Sequence, residues 1–314
     1  MTTTTAGSGR RTVQRPGDRI FTGSTLAAGA LILVILAGVA VFLLTNAWPA
    51  VAADPADVPG GNGVIAYTVP LVFGTLLGAS LALLMAAPLA VAIALFISHY
   101  APRRLASLLG YVVDLLAAVP SIIYGLWGFT VLAPKTVGLS VWLEEHLGFL
   151  PFFSGPASST GRTMLTVGIV LGVMILPIIT AVSREVFLQT PRLHEEAALA
   201  LGATRWEMIR MTVLPFGKPG VISASMLGLG RALGETMAVA IVLSASPGLM
   251  SLNLISSSNP STVAANIALQ FPESSGLAVN TLIFTGLVLF AITLAVNMLA
   301  RWIIARRAEF SGAN

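Results

Sequence analysis

The chain has 314 residues, 56% of them hydrophobic and only 10% Asp, Glu, Lys or Arg, and its mean hydropathy is +0.89. A soluble domain carries about 25% charged residues, so this balance excludes a soluble protein and indicates a polytopic membrane chain. The absence of cysteine excludes disulfides, thiolate metal sites and cysteine catalysis, and the net charge of +4 comes from scattered arginines rather than a basic run, which speaks against a nucleic-acid partner.

A polar, basic tail over residues 1–20 precedes an apolar run from Phe21 to Trp48. That run exceeds the apolar stretch of a cleaved signal peptide, so it is expected to remain as the first span. Six apolar segments reach the ~20 residues needed to cross a hydrocarbon core, at about 22–46, 67–97, 107–133, 163–183, 219–246 and 277–300. Placing the N-terminus in the cytoplasm puts fourteen basic residues inside: Arg10, Arg11, Arg15, Arg19, Arg103, Arg104, Arg184, Arg192, Arg205, Arg210, Lys218, Arg301, Arg306 and Arg307. Only Lys135 and Arg162 fall outside, so both termini, including the tail over 304–314, are expected in the cytoplasm.

Pro70, Pro88, Pro120 and Pro177 are expected to bend the second, third and fourth segments, because each lacks an N–H and clashes with the preceding turn. Gly74/Gly78, Gly168/Gly172 and Gly230/Gly234 have the GxxxG spacing that permits close helix contact. The outside segment over 138–153, with Trp142 beside Glu144, Glu145 and His146, reads as a short interfacial helix or a plain loop. The three histidines, His99, His146 and His194, form no spaced metal-ligand pair.

Three ionisable residues lie within apolar segments and carry the sharpest functional signal. Arg231 and Glu235, four residues apart, share a helix face and can form an ion pair. That pair either locks the fold or serves a route for an oxyanion, which the planar guanidinium fork suits. Thr236 adds a hydroxyl off that face. Asp114 reads as an interfacial residue, a partner of a neighbouring helix or a pathway group; Pro120, Ser121, Tyr124 and Gly125 combine a kink with hydroxyls that either line a pore or serve helix packing.

The cytoplasmic segment 184–218 reads as helix, glycine turn, helix. Pro191 can start the first helix, Gly202 ends it, and Thr204 with Glu207 forms a capping box for a second helix that runs to about Val213, before Pro215. Ala197, Ala198, Leu201 and the Trp206/Met208/Ile209 group form an apolar stripe that either packs back on the membrane domain or enters a partner's groove. No GxxxxGK[ST] run is present, so any ATP hydrolysis must come from another subunit.

Glu196-Ala197-Ala198, Gly202 and Leu214-Pro215 resemble the EAA loop of permease subunits in ATP-binding-cassette importers, with Thr212 where the pattern usually has isoleucine. Arg231-Ala232-Leu233-Gly234-Glu235-Thr236 resembles the RAxGET segment of the phosphate-specific permeases, the PstC/PstA family. Pro120 to Gly125 and the longer N-terminal region lean toward its PstC branch.

The resemblance implies an all-α, six-span permease of the type I importer fold over residues 21–303, with 184–218 as its coupling loop and no catalysis in this chain. It implies a PstA-like second permease, two PstB-like ATPases that use ATP and Mg, and a PstS-like phosphate-binding protein. It assigns Arg231 and Glu235 to the translocation route, and Glu196, Ala197, Ala198, Gly202, Ala203, Thr204 and Arg205 to the ATPase contact. The other readings weighed are a permease for sulfate or molybdate, disfavoured by the RALGET match, the PstA-type partner subunit, and an ion channel or membrane-embedded enzyme.

Overall fold

The computed structural model describes residues 16–308, without the side chains of Pro16, Arg19 and 303–308. Arg10, Arg11 and Arg15, most of the tails over 1–20 and 304–314, and the side chains of Arg306 and Arg307 therefore lie outside the described residues.

Helices follow in the order α1 (Pro16–Ala52), α2 (Gly63–Leu95), α3 (Arg103–Ala117), α4 (Ser121–Trp127), α5 (Ala133–Leu147), α6 (Met164–Leu188), α7 (Arg192–Ala200), α8 (Arg205–Met208), α9 (Leu214–Leu233), α10 (Met237–Val242), α11 (Val263–Gln270) and α12 (Leu277–Ala308). Wider π turns at Phe96–Tyr100, Gly128–Leu132 and Ile209–Val213 extend α2, join α4 to α5, and join α8 to α9. Among the described residues no named strand occurs, only an isolated parallel bridge between Ala245 and Asn259.

The core forms where α2 and α6 pack face to face. Ala82, Ala86, Ala90 and Ala94 recur every fourth residue on α2, each at most 2% exposed, and this row of small side chains admits the buried Leu171, Met174, Ile175 and Ile179 of α6. Gly78 faces Met164 and Leu171, while Gly168 lies directly against Leu81 and Gly172 against Ala82, so those glycines act as close-contact points. Gly230 has open space where a Cβ would be and Gly234 meets only its own preceding turn, so the third GxxxG spacing does not serve a helix contact. At the periphery, α1 rests against α12 and exposes most of its apolar surface, as a lipid-facing helix does.

Among the described residues, five helical stretches are long and apolar enough to cross a membrane: Ile20–Ala52, Gly63–Tyr100, Ser121–Leu147, Met164–Leu188 and Leu277–Trp302. The third differs from its expected bounds. Residues 103–117 form the separate amphipathic helix α3, with only Gly110 and Val113 buried, and the span begins after Pro120. Pro120 lacks the N–H that would bond the Leu116 carbonyl, and the Tyr124 hydroxyl donates to that carbonyl instead at 2.8 Å.

The interfacial segment expected over 138–153 is also revised: α4 and α5 run on without a break to Leu147, with Pro134 in the first turn of α5, where a missing N–H is tolerated. The fifth expected span is divided into α9 and α10 at Gly234–Thr236. At its N-terminal end it continues α8 past Pro215, because the π turn at Ile209–Val213 loosens the ladder just ahead of the proline ring.

Candidate translocation site and coupling loop

The helix break at Gly234 has a local cause. Gly234 lacks a Cβ, and the Glu235 carboxylate Oε1 accepts the Ala238 N–H at 3.1 Å, capping α10 instead of leaving the chain to continue α9. Glu235 is 8% exposed, and it forms no ion pair with Arg231. The expected i, i+4 pairing requires an unbroken helix between them, and the break removes that geometry. Arg231 is half-buried in the last turn of α9, with no hydrogen bond or ion pair to its guanidinium among the described residues.

The two motifs on either side of the chain meet here. A Cβ at Gly125 would stand 2.8 Å from the Ala238 Cα, so only glycine lets α4 lie this close to α10. Ser121 is half-buried in the first turn of α4, and Thr236 Oγ1 donates to the Gly234 carbonyl at 3.2 Å. Asp114 does not join this group. It is exposed on α3 and shares a hollow of about 460 Å³ with Arg103, Arg184 and Glu185.

The far end of α10 is closed by a residue the sequence reading used only for topology. The Arg162 guanidinium donates toward the carbonyls of Ile241, Val242 and Leu243 at 3.3 to 3.4 Å and stands 5.4 Å over the Phe129 ring. A carboxylate thus caps the start of α10 and a guanidinium its end, each the favourable sign for that helix terminus.

Asn259, fully buried, binds this cap into the Ser/Asn-rich segment over 247–276. Its Nδ2 donates to the carbonyls of Arg162, Ser244 and Ser256 at 3.2, 3.1 and 3.0 Å, and its Oδ1 accepts the Met164 N–H at 3.0 Å. The same Ser/Asn-rich segment reaches α2: the Ser261 carbonyl lies directly against Gly74, and the Val263 N–H donates to Thr75 Oγ1 at 2.9 Å. The only sequence signals for these residues were one of two outside basic residues, Arg162, and a buried-capable amide within a loop.

In the loop over 184–218, α7, Gly202 and α8 form the expected helix, turn and helix. Gly202 adopts φ of +87°, which favours glycine. Thr204 Oγ1 accepts the Glu207 N–H at 3.3 Å while Glu207 Oε2 accepts the Thr204 N–H at 2.8 Å, completing the capping box. Those Thr204 hydrogen bonds hold the Glu207 carboxyl below its ordinary pKa.

The apolar stripe divides between two faces. Ala198, Met208 and Ile209 pack inward with Ala94, Leu95, Phe187 and Val213, whereas Leu193, Leu201 and Trp206 remain exposed at 78%, 89% and 54%. Glu196, Ala197, Thr204 and Arg205 are exposed and Ala203 is half-buried.

The chain is similar throughout to known permeases. Residues 86–309 match the family model described as binding-protein-dependent transport system inner membrane component. The phosphate transport system permease protein PstC 2 of Mycobacterium tuberculosis is 48% identical over 91% of this chain and 91% of its own length. PstC of Mycobacterium leprae is 45% identical over 95% and 96%. Among solved structures, a bacterial alginate ABC transporter in complex with an alginate pentasaccharide-bound periplasmic protein shares the fold, with a TM-score of 0.61 at 17% identity, over 92% of this chain and 96% of that one. On the match over most of its length, this multi-pass membrane chain belongs to the family of binding-protein-dependent transport system inner membrane components, among the phosphate transport system permeases named PstC.

Proposed function

We propose that the chain is a transmembrane permease subunit of an ATP-driven importer, passing inorganic phosphate from an extracytoplasmic binding protein to the cytoplasm by alternating access. The single observation that carries this reading is the half-buried Arg231 guanidinium, which has no hydrogen bond or ion pair among the described residues and stands at the end of α9, where the helix is interrupted. An intramembrane charge at a helix break calls for an oppositely charged occupant, and a planar guanidinium binds an oxyanion through several parallel donors. The names of the PstC relatives support phosphate over sulfate or molybdate.

In this reading Arg231 contacts the passing anion, and Glu235 holds α10 in place beside it while Thr236, Ser121 and Tyr124 line the same break. Both termini face the cytoplasm, residues 21–303 form the permease domain, and the loop over 184–218 meets the ATPase. The exposed Leu193, Leu201 and Trp206 supply apolar contact area on that face, alongside Glu196, Ala197, Gly202, Ala203, Thr204 and Arg205. Ala198 supports the same helix from within, since it is 6% exposed in this chain. The chain itself catalyses no bond cleavage: two PstB-like subunits bind ATP and Mg, a PstA-like permease completes the pore, and a PstS-like protein delivers phosphate.

The test is ATP-dependent uptake of labelled phosphate into vesicles holding the complete complex. Arg231→Ala is expected to lower uptake by about 100-fold with the subunits still co-purifying, as loss of one partner of a desolvated charge contact does. Undiminished phosphate flux in that variant would sink the assignment.

A further inference from the structure

The cytoplasmic end of α2 holds a linkage that the translocation reading does not use. The π turn Phe96–Tyr100 ends with His99 and Tyr100, and each reaches a different limb of the coupling loop. His99 Nε2 stands 3.5 Å from Glu195 Oε1 on α7, with the side chains only 8% and 22% exposed. The Arg205 guanidinium of α8 stands 5.8 Å over the Tyr100 ring. Between them, Ala198 of α7 and Ile209 beyond α8 are buried against Ala94 and Leu95 of α2.

The second nitrogen of His99 shows how its orientation is set. Nδ1 lies 2.7 Å from Ser98 Oγ, and that hydroxyl is also 2.8 Å from the Ala94 carbonyl. When the imidazole is neutral, Ser98 donates to Nδ1 and the ring proton sits on Nε2. When it is charged, Nδ1–H donates to Ser98, whose own proton turns to Ala94, and Nε2 keeps its hydrogen. Both states place an N–H against the Glu195 carboxylate, while the remaining tautomer would set a lone pair against a negative charge.

We infer that His99 is a positioning residue that ties coupling helix α7 to α2 through Glu195, so that movement of the loop is delivered to α2 as a whole. The inference rests on the importer reading above. α2 is the helix through which such movement reaches the outer face, because its other half bears Gly74 and Thr75 against the Ser261–Val263 segment and its middle carries the alanine row against α6. A slack link would let the ATPase turn over without moving the outer segment.

The experiment measures ATP hydrolysis and labelled phosphate uptake together in vesicles holding the complete complex. His99→Phe fills the site without a donor, His99→Gln restores an N–H, and Glu195→Ala removes the acceptor. The expected result is a ratio of phosphate taken up to ATP hydrolysed about fivefold lower in His99→Phe and Glu195→Ala, recovered toward the parent value in His99→Gln. The double variant His99→Phe/Glu195→Ala is expected to be no worse than either single one, with co-purification of the subunits unchanged.

An unchanged ratio in His99→Phe, additive losses in the double variant, or a His99→Gln loss equal to that of His99→Phe would each overturn the role of His99. If the parent complex takes up no phosphate at all, it is the importer reading that fails.

Discussion

The loop over 184–218 and the broken helix at Gly234 share one plan, a helix, a glycine interruption and a second helix, yet they are held by interactions of different range. In the loop, the stop and restart are local: Gly202 takes a positive φ, and Thr204 and Glu207 satisfy each other's backbone donors three residues apart. At the break, Glu235 caps α10 locally, but the end of α10 depends on Arg162, which lies about 80 residues earlier, and on Asn259, which binds Arg162 from the other side. A local device survives changes elsewhere, whereas a device assembled from distant segments fails when any contributor is lost.

Three experiments press on that contrast, beginning with the largest effect. Asn259→Ala removes an amide whose two hydrogens are shared among three carbonyls and whose oxygen accepts the Met164 N–H, and it strips the Ser244 and Ser256 carbonyls and the Met164 N–H of that partner at a fully buried site. It is expected to destabilise the 247–276 segment by about 3 kcal/mol or more, read as a lower thermal unfolding midpoint of the purified complex. An unshifted midpoint would show that the distant contacts around α10 are dispensable.

Gly202→Ala is expected to cost about 1 kcal/mol, because the positive φ is strained for alanine while the space around the new Cβ is open. Amide exchange should quicken within α7 and α8 and stay unchanged around α10. Quickened exchange at Met237–Val242 would break the separation between the two regions.

The smallest effect concerns acidity. Because the folded Glu207 carboxyl lies below its ordinary pKa, its contribution is fully present above the ordinary carboxylate range and is lost as pH falls through the depressed folded value. Protection of the Thr204 amide, compared with Glu207→Gln at each pH, should therefore fall on acidification below about pH 4. Identical acid profiles in the two proteins would count against the charged cap.

The same contrast explains how much was readable in advance. Pro191, Gly202, Thr204 and Glu207 announced the coupling loop because caps and turns act within a few residues. The apolar lengths of four of the five long spanning stretches were legible for a similar reason, since the bilayer sets them. The third span was misplaced because α3 is apolar enough on one face to merge with α4 in a composition count, and only the break at Pro120 separates them. Arg231 stood out in the sequence as an unusual charge within an apolar segment, but the ion pair with Glu235 that the spacing allowed does not form, because helical spacing carries no information about where Gly234 ends the helix.

By itself, then, the sequence determined that this chain is a multi-pass membrane protein with a helix, glycine turn and helix between two spans, and its motifs carried the resemblance to a permease: hydropathy, the distribution of arginines and local capping motifs are properties of short stretches. Tertiary structure alone decided what each buried polar group binds. It turned Glu235 from a partner of Arg231 into a helix cap and left Arg231 uncommitted in the last turn of α9. It also brought Arg162 and Asn259 to α10, and His99 to Glu195. The physical reason is that a buried polar group must find its partner wherever packing places one, and separation along the chain does not limit that search.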